Sequence, residues 1–152
     1  MSNLENGVMG IHPQQPRELA AEFNVGIDIE EVERFASVRD DATKRALFTS
    51  EEAEYCSAFS DAAARYAGTW CAKEAAVKAL WPWVRLDPRR VMVSRAGDGR
   101  PMLLISGSRE IADRVAIRVS ISHSGPVAVA CVVAWAPRPV RSEPDPLHAE
   151  AT

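Results

Sequence analysis

The sequence predicts an α+β domain in which a long central helix packs on a mostly antiparallel sheet. Three observations carry this reading. Residues 61–80, DAAARYAGTWCAKEAAVKAL, are rich in good helix formers and hold no proline. The stretches NVGIDIE (24–30), IRVSIS (117–122) and VAVACVVAW (127–135) have the alternating or continuously apolar pattern of strands. The order is one strand, then helices, then strands joined by short turns, which is not the regular alternation of a parallel sheet.

Taken along the chain, 1–22 is polar, carries Gly10, Pro13 and Pro16, and reads as a flexible arm. It lacks the basic-then-apolar pattern of a secretion signal. The folded unit is expected over 23–136. In the first strand Val25, Ile27 and Ile29 share one face and Gly26, Asp28 and Glu30 the other, because strand side chains alternate. Gly26 beside Asp28 would let a ligand come close. A short helix is expected from Glu30 to about Val38, with Val32 and Phe35 buried and Arg34 exposed. A second, from Thr49 to Phe59, opens with a Thr49-x-x-Glu52 capping box.

The long helix takes Asp61 as its N-cap. Tyr66, Trp70, Val77 and Leu80 form a bulky core stripe, and Ala67, Cys71, Glu74 and Lys78 a small adjacent one. Pro82, in Trp81-Pro82-Trp83, ends it. A hairpin spans Arg89–Ala96 and Pro101–Ser106 around Gly97-Asp98-Gly99-Arg100. Ser108 caps a brief helix through Val115. His123-Ser124-Gly125-Pro126 turns between a half-buried strand and a central one. Residues 137–152 are proline-rich and read as a disordered tail.

With 152 residues and 47% hydrophobic composition, the chain supports one globular domain. A net charge of −3 argues against nucleic acid as a partner. No apolar run approaches the ~18 residues a membrane span needs. Cys56, Cys71 and Cys131 are odd in number and lack metal-like spacing, which excludes a disulfide framework or a zinc site. The expectation is a cytoplasmic protein.

Asp28, Glu30 and Glu74, without cysteine or paired histidine ligands, suit a hard oxygen-loving ion, Mg²⁺ above all. Lys78, one turn beyond Glu74, could neutralise a phosphate as a point charge. The bland alternatives are a surface Glu74–Lys78 pair, worth about a few tenths of a kcal/mol, solvated acids on the strand, and His123 as an ordinary turn residue. Pattern alone reaches Mg²⁺-assisted chemistry on a phosphorylated ligand.

V-G-I-D-I-E, then A-G-T-W-C-A-K-E-A-A-V-K-A-L, then S-I-S-H-S, with F-T-S-E-E before the long helix, resemble the 4'-phosphopantetheinyl transferases, and more closely their short holo-(acyl-carrier-protein) synthase type. The resemblance runs from about Val25 to Trp135. It implies transfer of 4'-phosphopantetheine from coenzyme A to a serine of an apo carrier protein, releasing adenosine 3',5'-bisphosphate. It implies Asp28 and Glu74 as Mg²⁺ ligands and Lys78 on the phosphates. His123, with Ser122 or Ser124, would line the coenzyme A site, and Arg34 would contact the carrier protein. Glu30 matches a third ligand found in longer, two-lobed members. The general base would be Glu74 or a water that it positions. A chain this short implies a homotrimer with sites between subunits.

Three departures accompany the resemblance. Trp81-Pro82-Trp83 replaces a glycine-containing loop, Thr69 an arginine, and Ser60-Asp61-Ala62 a lysine-bearing segment. Compensating charge could come from Arg65, Arg85, Arg89 or Arg90; Arg65 is carried as a coenzyme A contact. The rival readings are a non-catalytic carrier-protein-binding module of the same fold and a Mg²⁺-dependent nucleotide hydrolase.

Overall fold

The structure, a computed structural model, describes residues 21–107 and 109–137. The arm up to residue 20, the tail beyond 137 and the proposed Ser108 cap lie outside the described residues. Strand β1 (Ala21–Glu31) begins within the stretch assigned to the arm, because Ala21 and Glu22 continue its ladder opposite Pro137 and Ala136.

A 3-10 turn (Val32–Phe35) follows β1, then α1 (Ala42–Arg45), α2 (Ser50–Ser57) and α3 (Ala62–Leu80). The hairpin of β2 (Val91–Arg95) and β3 (Pro101–Ile105) leads to α4 (Arg109–Arg114), β4 (Ala116–Ser124) and β5 (Val127–Pro137). The main sheet is antiparallel in the order β1-β5-β4, so VAVACVVAW is the central strand, and β2-β3 form a separate two-stranded sheet. The helix expected over 30–38 shrinks to that single turn, because Glu30 and Glu31 stay in the β1 ladder opposite Ala128 and Val127. The sequence reading missed α1, which Asp41 caps by accepting from Thr43 N at 2.9 Å and Lys44 N at 3.2 Å.

Helix α3 lies across the inner face of the main sheet, and its small residues make the closest contact. Ala67, Cys71, Ala72, Ala75, Ala76 and Ala79 are all fully buried. Of the expected bulky stripe, Tyr66 and Leu80 are buried while Trp70 and Val77 are half-buried at the rim of the core. The limit of approach is at Gly26, where a Cβ would stand 2.0 Å from the Ala75 carbonyl oxygen and 2.6 Å from Ala79 N. The neighbour that needs this glycine is therefore the backbone of α3, not a ligand. Asn24, two residues earlier on the same strand face, donates from Nδ2 to the carbonyls of Lys78 (3.1 Å) and Ala79 (3.0 Å), satisfying acceptors at the helix end.

The capping box at α2 is present, and Glu52 extends it. Its Oε2 accepts from Thr49 N at 2.8 Å and faces Lys73 Nζ at 2.7 Å, while Oε1 accepts from Val93 N at 2.7 Å. Lys73 also donates to Leu47 O at 3.0 Å. This pair has side chains only 1% and 0% exposed, so removing either partner would strand a charge inside the protein.

Gly26→Ala should lower the unfolding free energy by about 1–3 kcal/mol, since backbone rather than a flexible side chain must give way. Urea denaturation checks this; an unchanged midpoint would mean that α3 and β1 separate freely.

Candidate active site

The period of β1 turns Asp28 and Glu30 inward with Gly26, and turns Val25, Ile27 and Ile29 outward. The acids are 8% and 7% exposed, whereas those three apolar residues are 45–65% exposed. Acids on the inner row are not solvated surface charges. They meet Glu74, which α3 carries to the edge of β1, and one ligand atom from each of Asp28, Glu30 and Glu74 falls within 4.8 Å of the others.

Two cations already serve this group. Lys78 Nζ donates to Asp28 Oδ1 at 2.7 Å and to Ile27 O at 3.0 Å, so it reaches across to β1 and not to Glu74, against the bland alternative of a helical surface pair. That bond raises the Lys78 pKa. Arg34 pairs with Glu30 Oε2. Glu74 has neither advantage: partial burial, then the charges of Asp28 and Glu30, push its pKa above the ordinary carboxylate value. Asp28 Oδ2 is buried with no hydrogen-bond partner. A buried carboxylate oxygen left unpaired is costly, and a divalent cation bound by oxygen would remove that cost. The donor set thus fits Mg²⁺, and Asp28, Glu30 and Glu74 are the residues that would hold it.

Cys71 lies one helical turn before Glu74, with its sulfur 3.5 Å from Ala128 O. Burial, followed by the nearby acids, pushes its pKa up to about 12, so it packs here as a thiol. Outside the acids opens a cleft of about 550 Å³. Glu30, Glu74, Arg34 and Lys44 form its polar side, and Trp70 and Phe35 its apolar side.

His123 lies elsewhere. Glu30, Ala128 and His123 form one cross-strand row on the inner face, and Cys71 of α3 sits on Ala128 in the middle of it. Helix α3 therefore stands between His123 and the acids. His123 Nε2 is 3.6 Å from Asp61 Oδ2, and Asp61 also pairs with Arg65 at 3.2 Å. Asp61 occupies the N-cap position without making a capping bond; the Arg65 contact lowers its pKa. Arg65, Arg95, His123 and Tyr55 line a second pocket of about 180 Å³ beside the Gly99 turn.

Ser122 and Ser124 alternate with His123 and face the outer side of the sheet, with Ser122 in the row of Val129 and Ile29. Of the other arginines considered, Arg85 stacks 3.4 Å from the Trp81 ring centroid, and Arg89 pairs with Asp87. Arg95 was missed by sequence reasoning. The available signal was its position at the end of β2, facing the Gly-Asp-Gly turn.

The frame has the fold of solved acyl carrier protein synthases. That of Mycobacterium tuberculosis is 31% identical with a TM-score of 0.59, covering 75% of this chain and 97% of the other. The ACPS–CoA complex of Chronobacterium ammoniagenes is 25% identical with a TM-score of 0.64, covering 77% and 99%. A holo-[acyl-carrier-protein] synthase of Caldicellulosiruptor saccharolyticus is 37% identical over 117 residues, 74% of this chain and 95% of that relative. The family model of the 4'-phosphopantetheinyl transferase superfamily matches residues 24–132, a span that includes all three motif blocks. The chain belongs to the 4'-phosphopantetheinyl transferase superfamily.

Glu74→Gln separates stability from turnover. A carboxyl whose folded pKa is raised contributes stability below its unfolded pKa and loses it as pH rises through the folded one. Without metal, Glu74→Gln should therefore melt higher than the parent near neutral pH. The advantage should shrink on acidification through the range just above the ordinary Glu value. Thermal melts in chelator across pH test this, and a lower neutral-pH melt in the variant would show that Glu74 is not repelled by its neighbours. Turnover should be lost in both Glu74→Gln and Asp28→Ala, with circular dichroism unchanged.

Proposed function

We propose that this chain transfers the 4'-phosphopantetheine of coenzyme A to a serine of an apo carrier protein, with Mg²⁺ held by Asp28, Glu30 and Glu74. The observation that carries this reading is the buried, unpartnered Asp28 Oδ2 at the centre of three converging carboxylates, in a chain of this superfamily. The structure of a relative in complex with coenzyme A supports the donor, and the named activity of the curated relative supports the acceptor.

In the reaction the serine oxygen bonds to the β-phosphorus of coenzyme A. The bond from that phosphorus to the bridging oxygen breaks, and adenosine 3',5'-bisphosphate leaves. When bound, Mg²⁺ supplies Lewis-acid stabilisation of the pyrophosphate oxygens. Lys78, with a half-exposed side chain and anchored on Asp28, neutralises the charge gathering there. Glu74 accepts the serine proton directly or through a water. The apolar wall of Trp70 and Phe35 suits the uncharged pantetheine arm, while Arg65, Arg95 and His123 suit the nucleotide's phosphate.

The test is incubation of apo carrier proteins with coenzyme A and Mg²⁺, read by intact mass. Gain of the phosphopantetheine mass, abolished by Asp28→Ala, is expected. Docking without mass gain would instead support a non-catalytic module, and coenzyme A cleavage without carrier a hydrolase.

The working form is a homotrimer. Phe23 (57% exposed), Val25, Ile27 and Ile29 join Val133 in an apolar outer sheet face, and a ring of copies would bury it. Ser122 would lie at that contact, and Arg34 on the cleft rim would meet the carrier protein. Because α3 divides His123 from the acids within one subunit, His123 serves the coenzyme A held by a neighbour's Glu74 and Lys78. Mixing inactive Glu74→Gln and inactive His123→Ala under subunit exchange should restore part of the activity. A fully active monomer by light scattering at assay concentration would refute the arrangement.

A further inference from the structure

We infer that Arg34 is a positioning residue that competes with the metal for Glu30, so that metal loading releases a cation onto the rim of the cleft. The inference rests on the metal site proposed above and adds a coupling between that site and the surface around it.

The two cations at the acid cluster are held differently. Lys78 has two partners, Asp28 Oδ1 and Ile27 O, and it leaves Asp28 Oδ2 free for another cation. A metal can take that oxygen while Lys78 stays in place. Among the described contacts, the Arg34 guanidinium is tied only to Glu30 Oε2. Its side chain is 64% exposed while that of Glu30 is 8% exposed. The guanidinium can therefore leave for water at small cost, whereas Glu30 cannot follow it. A dication arriving among Asp28, Glu30 and Glu74 would share Glu30 with a guanidinium, and two cations on one poorly solvated carboxylate repel each other. The weakly held, exposed Arg34 is the one displaced.

Its release changes the charge presented outside. Arg34 sits between the exposed Glu31 and Glu33. Lys44, also on the cleft wall, donates to Arg34 O at 2.7 Å and to Ser37 Oγ at 2.9 Å. While Arg34 neutralises Glu30, the segment 30–34 has an excess of carboxylates that repels an acidic partner. With Glu30 on the metal, Arg34 stands beside Lys44 as a free cation. Metal binding and the docking of an acidic protein surface at this rim are thus positively linked, and linkage requires the effect to run both ways. The device depends on an acid at position 30 with an arginine four residues later.

Mn²⁺ binding to the coenzyme-A-free protein, followed by electron paramagnetic resonance, tests the competition apart from turnover. Arg34→Ala should tighten Mn²⁺ binding by roughly three- to tenfold. Arg34→Lys, which keeps the charge, should stay near the parent, and Glu30→Ala should weaken binding. In the Glu30→Ala background, Arg34→Ala should change nothing. Unchanged Mn²⁺ affinity in Arg34→Ala, or an effect that persists without Glu30, overturns the competition. If Asp28→Ala still loses Mn²⁺ in that case, the metal site itself stands. Mn²⁺ affinity unchanged in Asp28→Ala overturns both. For the outward half, anisotropy of an acidic apo acyl carrier protein should show tighter docking with Mn²⁺ to the parent but not to Glu30→Ala. Docking indifferent to Mn²⁺ in the parent overturns it.

Discussion

The distance between helix α3 and strand β1 governs this structure. At Gly26 the two backbones meet with no space for a methyl group. The alanines at 72, 75, 76 and 79 and the thiol of Cys71 are the side chains that such an approach allows. The same closeness brings Glu74 to Asp28 and Glu30. A larger residue at Gly26 or along the small stripe would lift the helix, and the carboxylates would part before the core failed. Packing and site geometry are one constraint here, which explains why the helix spends its most buried face on alanine instead of leucine.

The approach has an electrostatic cost. Three carboxylates are pressed together, one oxygen is left without a partner, and Glu74 is pushed toward its neutral form. Lys78 and Arg34 offset part of this, each from its own side of the cluster. Among the described residues, the other buried side-chain polar atoms are paired. Glu52 and Lys73 satisfy each other and two backbone groups. Tyr66 Oη donates to Ala53 O at 3.0 Å and contacts Ser57 Oγ at 2.8 Å. Unrelieved charge is confined to the place where a ligand can use it.

Local patterns were legible in the sequence. The long helix, the central strand, the hairpin and the capping box depend on neighbours within a few residues, and each was found. Long-range facts were not. Alternation in NVGIDIE revealed two faces but not which one is inside, and hydrophobicity alone suggests burying Val25, Ile27 and Ile29, the face that is exposed. Gly26 signalled a close approach, and only the fold shows that helix backbone makes it. Nothing local marks Lys73 as buried, because its partner Glu52 arrives from another helix. The sequence brought the acids, Lys78 and His123 into one constellation. It could not show that α3 separates His123 from the others, since that follows from Cys71 of the helix sitting on Ala128, between Glu30 and His123 in one cross-strand row.

The outward apolar row of β1 and its inward acidic row are two consequences of one register. Because strand side chains alternate with a period of two, placing Asp28 and Glu30 against α3 obliges Phe23, Val25, Ile27 and Ile29 to face out. A slip of one residue along β5 would reverse both, burying the isoleucines and putting the acids in water, where a metal would find them solvated and too far from Glu74. A monomer would gain core by that slip. The observed register instead keeps the carboxylates inside and leaves an apolar row exposed. On this account the chain favours the register that forms the site, and the exposed apolar row of β1 follows from that choice.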